Sequence, residues 1–328
     1  MDYPEEIKNE LHSRVKTFFT GRGFQKLQDS FVIVVGLGGV GSHCSNMLVR
    51  SGVGRLRLID FDQVTLSSLN RHAVASMNDV GTSKAEAMRR RLLEIVPWCQ
   101  CEAISEMFRM EEADKLLAGG PTIVIDCIDD VNTKAELIAY CMQHDMPIIT
   151  SMGAGGKADP TKIRIAALQD CINDPLAMKL RWKLKKQHMI DCNLLAPEKQ
   201  LITVYSAEKP VVDLLPLEEE QKAAPQDFGA VDYLRLRVMP VLGTSPSIFG
   251  QALAAYVMCT LASTTCKTTT TTTTTATTTV EGAHATFTLS HVPEQHMFVC
   301  VYVFVCVAFA LRFLPCSLRS ATLHCYCL

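Results

Sequence analysis

The sequence predicts an α/β fold: a Rossmann-like, doubly wound, mostly parallel sheet with an additional α+β carboxy-terminal portion. Three observations lead there. Short apolar runs rich in β-branched residues recur, helical stretches alternate with them, and a G-x-G-x-x-G turn joins the first run to the first helix. At 328 residues the chain is long enough to bury one large core or two ordinary ones.

An amino-terminal helical segment occupies residues 1–30. FVIVV at 31–35 is apolar throughout, as a strand covered on both faces must be, and it ends at Gly36. A helix over 40–50 follows, closed by Gly52 and Gly54. RLRLID at 55–60 supplies the second strand. SKAEAMRRRLLEIV at 83–96 consists of good helix formers, with Ser83 placed to cap it, Glu86 set to complete a capping box and Pro97 to stop it. TIVIDC at 122–127, a helix over about 131–144 and PIITS at 147–151 continue the alternation.

A boundary is expected near residue 152, where the pattern loosens. KIRIAAL and LITVYSAEKP read as strands, DPLAMKLRWKLKK as a helix, and LEEEQKAAPQD as a solvated loop. The organisation expected is therefore a helical segment at 1–30, a nucleotide-binding half at 31–151, a substrate and dimerisation half at 152–262, and a tail at 263–328. In that tail, 268–279 is threonine except for Ala276, a low-complexity tract that gives a core nothing to bury. The apolar run MFVCVYVFVCVAFAL at 297–311 is shorter than the ~20 residues that cross a bilayer unless Arg312 snorkels. One reading makes it a tail anchor on the mitochondrial outer membrane. The other makes the tail translated intron or frame-shifted sequence without a fold, and the absence of amphipathic spacing favours this one.

The formal net charge of -2 excludes a chain coated in basic residues for general nucleic-acid binding, so any RNA contact must come from a local patch. Fourteen cysteines include no C-x-x-C pair, and the opening MDYPEEIKNELHSRVKTFF has no apolar signal region. A reduced compartment, the cytoplasm, is the expectation.

Gly36, Gly38 and Gly41 lie between a strand and a helix, where backbone N–H groups at the helix start can face phosphate. Asp60 ends the second strand, in position to accept hydrogen bonds from ribose hydroxyls. To this point an NAD-dependent dehydrogenase fits equally well. Nucleotidyl transfer asks for more: cations to neutralise a triphosphate and a carboxylate to hold magnesium. Asn70 and Arg71 in the loop after the second strand, Lys84 at the next helix start, and Asp126, Asp129 and Asp130 after a later strand meet that demand. Each has a plain structural alternative, as a surface cation, a turn cap or a helix-start carboxylate. Their joint placement around one glycine loop favours the ligand reading.

Four ordered motifs, VVGLGGVGS at 34–42, LIDFDQVTLSSLNRHAV at 58–74, GTSKAEAM at 81–88 and DCIDDVNTK at 126–134, resemble the superfamily of ThiF, MoeB and the ubiquitin-activating enzymes. TSMGAGGKADPTKIRIA at 150–166, INDPLAMKLRWKLKK at 172–186, VYSAEKPVVDLLP and RVMPVLGTSPSIFGQALAAYV resemble its tRNA threonylcarbamoyladenosine dehydratases, in their eukaryotic branch. The resemblance covers about 10–262. It implies ATP as co-substrate and magnesium as cofactor, with Gly38 and Gly39 against the phosphates, Asp60 on the ribose, Arg71 and Lys84 on phosphate oxygens and Asp129 as the magnesium ligand. Arg71, Lys84 and Asp129 are thus the expected catalytic set. Arg14 resembles an arginine that reaches across a homodimer, although Val15 stands where asparagine is frequent. Ser68 and His72 replace the Asn and Gln of many superfamily members, and the zinc-binding cysteine pairs of MoeB and ThiF are missing.

The activity so implied is ATP-dependent dehydration of threonylcarbamoyladenosine beside a tRNA anticodon, by carboxylate adenylation and ring closure. Adenylation of a ubiquitin-like sulfur carrier, with a sulfur-transfer partner, and an inactive nucleotide-binding scaffold are the alternatives. For gripping tRNA, 179–188 offers Lys179, Arg181, Lys183, Lys185 and Lys186 with Trp182 among them. A solvated amphipathic helix with Leu180, Trp182 and Leu184 partly buried fits the same residues.

Overall fold

The computed structural model describes residues 3–212 and 240–263, together with the backbone of three further strands between 274 and 325. Residues 1–268 form one unit and 269–328 a second. In the first, helix α1 (Glu5–Gln28) carries a kink at Thr20, a β-branched residue at φ 64°. The sheet follows: β1 (Phe31–Val35), β2 (Arg55–Ile59), β3 (Gln100–Ile104), β4 (Ile123–Asp126), β5 (Ile148–Ser151), β6 (Ile163–Ala167) and β7 (Ile202–Ser206), in spatial order β3-β2-β1-β4-β5-β7-β6. Every pairing is parallel except β6 with β7.

Helices cover both faces: α2 (Gly39–Arg50), α3 (Lys84–Ile95), the short α4 (Ala113–Leu116), α5 (Val131–Gln143), α6 (Pro175–Gln187) and α7 (Thr244–Leu261). The uniform FVIVV pattern explains why. Val32 and Val34 enter one core with Leu48, Leu58, Phe249 and Leu253, while Ile33 and Val35 enter another with Val124, Leu137 and Tyr140. A third core joins α5 and α6 to Leu201 and Tyr205.

Strands β1, β2, β4 and β5 and helices α2, α3, α5 and α6 lie where the sequence places them. Strand β3 was not foreseen. It is the sheet edge, its residues are half-buried or exposed, and it lacks the apolar run that marks its neighbours. The change of pattern near residue 152 falls inside one continuous sheet, because β5 pairs with β7 and β7 with β6. What changes there is topology, from βα alternation to an antiparallel edge.

The second unit contains β8 (Thr274–Val280), β9 (Ala283–Leu289) and β10 (His324–Cys325), in order β10-β9-β8. Part of the threonine tract therefore has strand backbone. The acidic stretch 217–227 and the apolar run 297–311 lie outside the described residues. Among the described residues no helix is long and apolar enough to cross a membrane.

Candidate active site

The strand order reverses between β1 and β4, both of which start from the centre of the sheet and lead to helices on opposite faces. The crevice above such a switch point is where ligands bind in this architecture. The glycine loop fills it. Gly36 has φ 89°, and a Cβ there would lie 2.8 Å from the Cys127 carbonyl oxygen after β4. A Cβ on Gly41 would collide with the Gly36 carbonyl, so α2 can enter this close only as glycine. Space beside Gly38 is open, which leaves the amino terminus of α2 accessible to an anion.

Asp60 anchors the loop. Its Oδ2 accepts the Leu37 N–H at 2.5 Å and its Oδ1 the Asp62 N–H at 2.8 Å. Burial pushes its carboxyl up, against the pull of the Lys84 ammonium and the two backbone donors. Lys84, the first residue of α3, is also ion-paired to Asp62 at 2.6 Å. Ser83 caps that helix as expected, accepting the Glu86 N–H. Arg71 lies against the loop, since a Cβ on Gly39 would stand 3.2 Å from its Cγ. Its guanidinium donates to the Ser67 carbonyl at 2.6 Å and to Asn70 Oδ1 at 3.0 Å, with no acidic partner among the described residues.

The three aspartates at and just after the end of β4 separate into three fates. Asp126 is fully buried in an ion pair with Lys134, also fully buried, whose Nζ further donates to Thr150 Oγ1 at 3.1 Å and the Ser151 carbonyl at 3.0 Å. Asp130 caps α5, accepting the N–H groups of Asn132 at 3.0 Å and Thr133 at 2.9 Å. Asp129 is exposed, and among the described residues its carboxylate has no partner. The expected cluster is thus one free carboxylate beside two structural ones. Ile128, its neighbour, abuts Gly36, so Asp129 stands next to the loop.

A cavity of about 540 Å³ adjoins Arg71, lined by His43, Asn70, His72, Gly243 and Ser247. His43 Nε2 lies 3.0 Å from Ser247 Oγ. His72 accepts backbone N–H groups of Val74 and Ala75 at Nδ1, and burial, then Lys84, pushes its imidazole down to about 4. A second cavity, about 500 Å³, opens at the opposite edge of the sheet beside His12, Arg55 and Trp98, away from the glycine loop.

Gly36, Gly38, Gly39, Gly41, Asp60, Asn70, Arg71, Lys84 and Asp129 therefore converge on one crevice. Arg14 does not join them: it is exposed on α1, without a partner among the described residues. Helix α6 corrects part of the basic patch. Arg181 donates to the carbonyls of Leu168 at 2.8 Å and Cys171 at 3.2 Å, and Lys185 pairs with Asp191 at 2.6 Å. Lys183 donates to Gln187 at 3.1 Å. Leu180 and Leu184 are fully buried, whereas Trp182 is 59% exposed beside the exposed Lys179 and Lys186. The buried Lys134, Lys157 and Asp174 and the cavity's His43 are not singled out by the sequence, though all but His43 stand inside motifs that carry the resemblance, and His72 enters there only as a departure from the superfamily pattern.

The model of the ThiF family matches residues 12–297, which runs past residue 262 where the motif resemblance stops. tRNA threonylcarbamoyladenosine dehydratase 2 of Saccharomyces cerevisiae is 40% identical over 268 residues, 79% of this chain but 58% of that relative, so the chain spans little more than half its length. The tRNA threonylcarbamoyladenosine dehydratase of Bacillus subtilis is 33% identical over 241 residues, 73% of this chain and 89% of the relative. Among solved structures, the Escherichia coli dehydratase TcdA in complex with ATP aligns with a TM-score of 0.67 and 29% identity, over 78% of this chain and 95% of that one.

Proposed function

The chain belongs to the ThiF family, and on that premise we propose that it is an ATP-dependent tRNA threonylcarbamoyladenosine dehydratase. One observation carries the reading beyond the family. An unpaired cation, Arg71, a second cation, Lys84, and an unpaired carboxylate, Asp129, flank an open helix amino terminus, the set that nucleotidyl transfer needs and hydride transfer does not. The relatives bearing this name and the ATP complex of TcdA support the substrate class.

In this reading the α2 amino terminus and Arg71 receive the ATP phosphates, with Gly38 leaving room for their approach. Lys84 leaves Asp62 for a phosphate oxygen, a short move for a flexible stem. Asp60 already spends one lone pair on each oxygen, and the remaining ones are free to accept ribose hydroxyls. The carboxylate of the threonylcarbamoyl group attacks the α-phosphorus and expels pyrophosphate. An atom of the tethered carbamoyl group then closes a ring on the acyl-adenylate, releasing AMP, with a net loss of water. Tethering makes the closure effectively unimolecular, so no enzyme thiol is required.

A magnesium ion fits the donor set, since such ions are commonly held by one or two carboxylates together with substrate phosphates, and Asp129 is a carboxylate beside the loop without a partner among the described residues. It would supply charge neutralisation on the phosphates. Arg14 requires a second copy of the chain to reach the crevice, so the homodimer belongs to this proposal. On the tRNA side, Lys179, Trp182 and Lys186 make up the reduced contact surface of α6.

The test mixes the protein with ATP, magnesium and threonylcarbamoyl-modified tRNA, following AMP and the mass of the modified nucleoside. AMP release with loss of one water from the nucleoside is expected. Binding of NAD without magnesium-dependent affinity for ATP overturns the reading.

A further inference from the structure

Two sequence stretches take no part in the nucleotide site: 150–166 and 172–186, which carry the resemblance to the dehydratases rather than to the superfamily at large. The fold brings them together. Lys157 from the first and Asp174 from the second are both buried, Nζ 4.0 Å from Oδ2, their side chains 4% and 1% exposed. The Lys157 ammonium donates to the carbonyls of Ser206 at 3.0 Å and Glu208 at 2.6 Å. Asp174 Oδ1 accepts the Ala177 N–H at 2.9 Å and so caps α6. Asp174 Oδ2 is buried without a hydrogen-bond partner among the described residues. Buried acceptors lacking a donor are rare in folded proteins, and each asks for a cause.

Its location supplies one. Asp174 Oδ2 lies 4.0 Å from where a Cβ on the half-exposed Gly153 would be, just beyond the carboxyl end of β5. The next residue, Ala154, accepts a hydrogen bond from Ser245 at 2.9 Å. Pro246, next to Ser245, packs on the glycine loop, 2.9 Å from a Cβ built on Gly39. A short run of contacts therefore joins the free oxygen to the place where the phosphates are read, on the same edge of the sheet.

The chemistry, if the dehydratase reading holds, leaves one task unassigned. Adenylation needs no base, because the attacking carboxylate is already ionised. Ring closure does. As the new bond forms between the acyl carbon and an atom of the carbamoyl group, the bond from that carbon to the phosphate oxygen breaks and AMP leaves with the electron pair. One urea N–H proton must then depart, whichever atom attacks. Of the other groups at this edge, Asp60 is bonded to Leu37 and Asp62, Asp62 is paired with Lys84, Asp126 with Lys134, Asp130 caps α5 and His43 meets Ser247. His72 Nε2 is also buried without a partner among the described residues, but burial pushes that imidazole down to about 4, which makes it a poor proton acceptor. Asp129 is the carboxylate left for metal.

We propose that Asp174 is the proton acceptor for ring closure, its free oxygen taking the urea N–H proton beneath Gly153, with Lys157 as the positioning residue that holds it there. Gly153 is the thinnest cover a residue can provide, and its backbone must shift for substrate to meet the oxygen, while Ala154 and Gly156 stay hydrogen-bonded to Ser245, Pro240 and Val211. Burial pushes the Asp174 carboxyl up and the Lys157 ammonium down, so the carboxylate is a better base than one in water. The proton passes to solvent once product has left.

Asp174→Asn keeps the helix cap, since Asn caps as well as Asp, and removes the base. Two rates of the full chain are compared: pyrophosphate exchange into ATP in the presence of threonylcarbamoyl-modified tRNA, and loss of water from the nucleoside. Exchange persists and cyclisation falls about 100-fold or more, with Asp174→Glu restoring part of it. Lys157→Gln lowers cyclisation and leaves exchange, which serves as the second test if the Asn variant folds poorly. Cyclisation at the parent rate in Asp174→Asn, or exchange and cyclisation falling in equal measure in both variants, overturns the proposal alone. Absence of tRNA-dependent exchange in the parent chain overturns the dehydratase reading and this proposal together.

Discussion

Two groups of charged residues look alike in the sequence and differ in the fold. At the carboxyl edge of the sheet, Arg71 and Asp129 have no ionic partner among the described residues, although Asp126, the last residue of β4, is locked to Lys134. On α6, Arg181 is bound to backbone carbonyls and Lys185 to Asp191, and Lys179 and Lys186 are the cations left over beside Trp182. Charge alone did not mark function in either place. What separates a functional charge from a structural one is whether the fold has already given it a partner.

The largest effect that tests this contrast is on chemistry. Asp129→Asn, Lys84→Ala and Arg71→Ala should each lower AMP formation by about 100-fold or more, and in Asp129→Asn, whose carboxylate is exposed without a partner among the described residues, the denaturant midpoint should stay put. A loss of stability in step with activity would erase the distinction at the sheet edge.

Lys134→Met should do the reverse of Asp129→Asn. It strands the Asp126 carboxylate in the interior, which costs about 3–5 kcal/mol in chemical denaturation. Equal stability to the parent would mean that the pair is dispensable packing.

A pH-linked stability effect sharpens the comparison further, because the sheet edge holds a buried imidazole and α6 holds none. His72 is pushed from 6.5 down to about 4 in the folded chain, so the unfolded chain takes up a proton first as pH falls. Its contribution is complete above pH 6.5 and is lost as pH drops toward 4, up to about 3 kcal/mol at 1.36 kcal/mol per unit. His72→Gln should flatten that limb of the stability profile, measured by denaturation between pH 4 and 7.

The smallest effects lie on α6. Lys179→Ala with Lys186→Ala should raise the tRNA Michaelis constant and reduce its salt dependence, with stability changed by no more than about 0.5 kcal/mol. Arg181→Ala should instead destabilise by about 1.5–3 kcal/mol, the range for hydrogen bonds from a charged donor. Identical tRNA kinetics in the double variant would remove α6 from the contact surface.

Much of this was legible in the chain. Uniformly apolar β1 and the apolar run that leads to Asp126 in β4 announce strands covered on both faces, and Gly36, Gly38 and Gly41 announce the loop that α2 grows from. The resemblance named Arg71, Lys84 and Asp129, and the fold places all three at the loop. Strand β3 was illegible because an edge strand with water on one side needs no apolar run. Arg181 was misread because the carbonyls that hold it belong to the turn before α6.

Sequence by itself determined the periodicities, the glycine turn and the order of elements, since these depend on neighbours along the chain: backbone sterics, side-chain spacing and caps act over a few residues. Partnership was decided only by tertiary structure. Whether an aspartate after β4 is buried against a lysine, spent on a helix end or left for a ligand depends on groups that folding brings from elsewhere, as it brings Thr150 to Asp126 and Gly153 to Asp174. Electrostatics and hydrogen bonding act over a few ångströms of space, and the sequence does not record that distance.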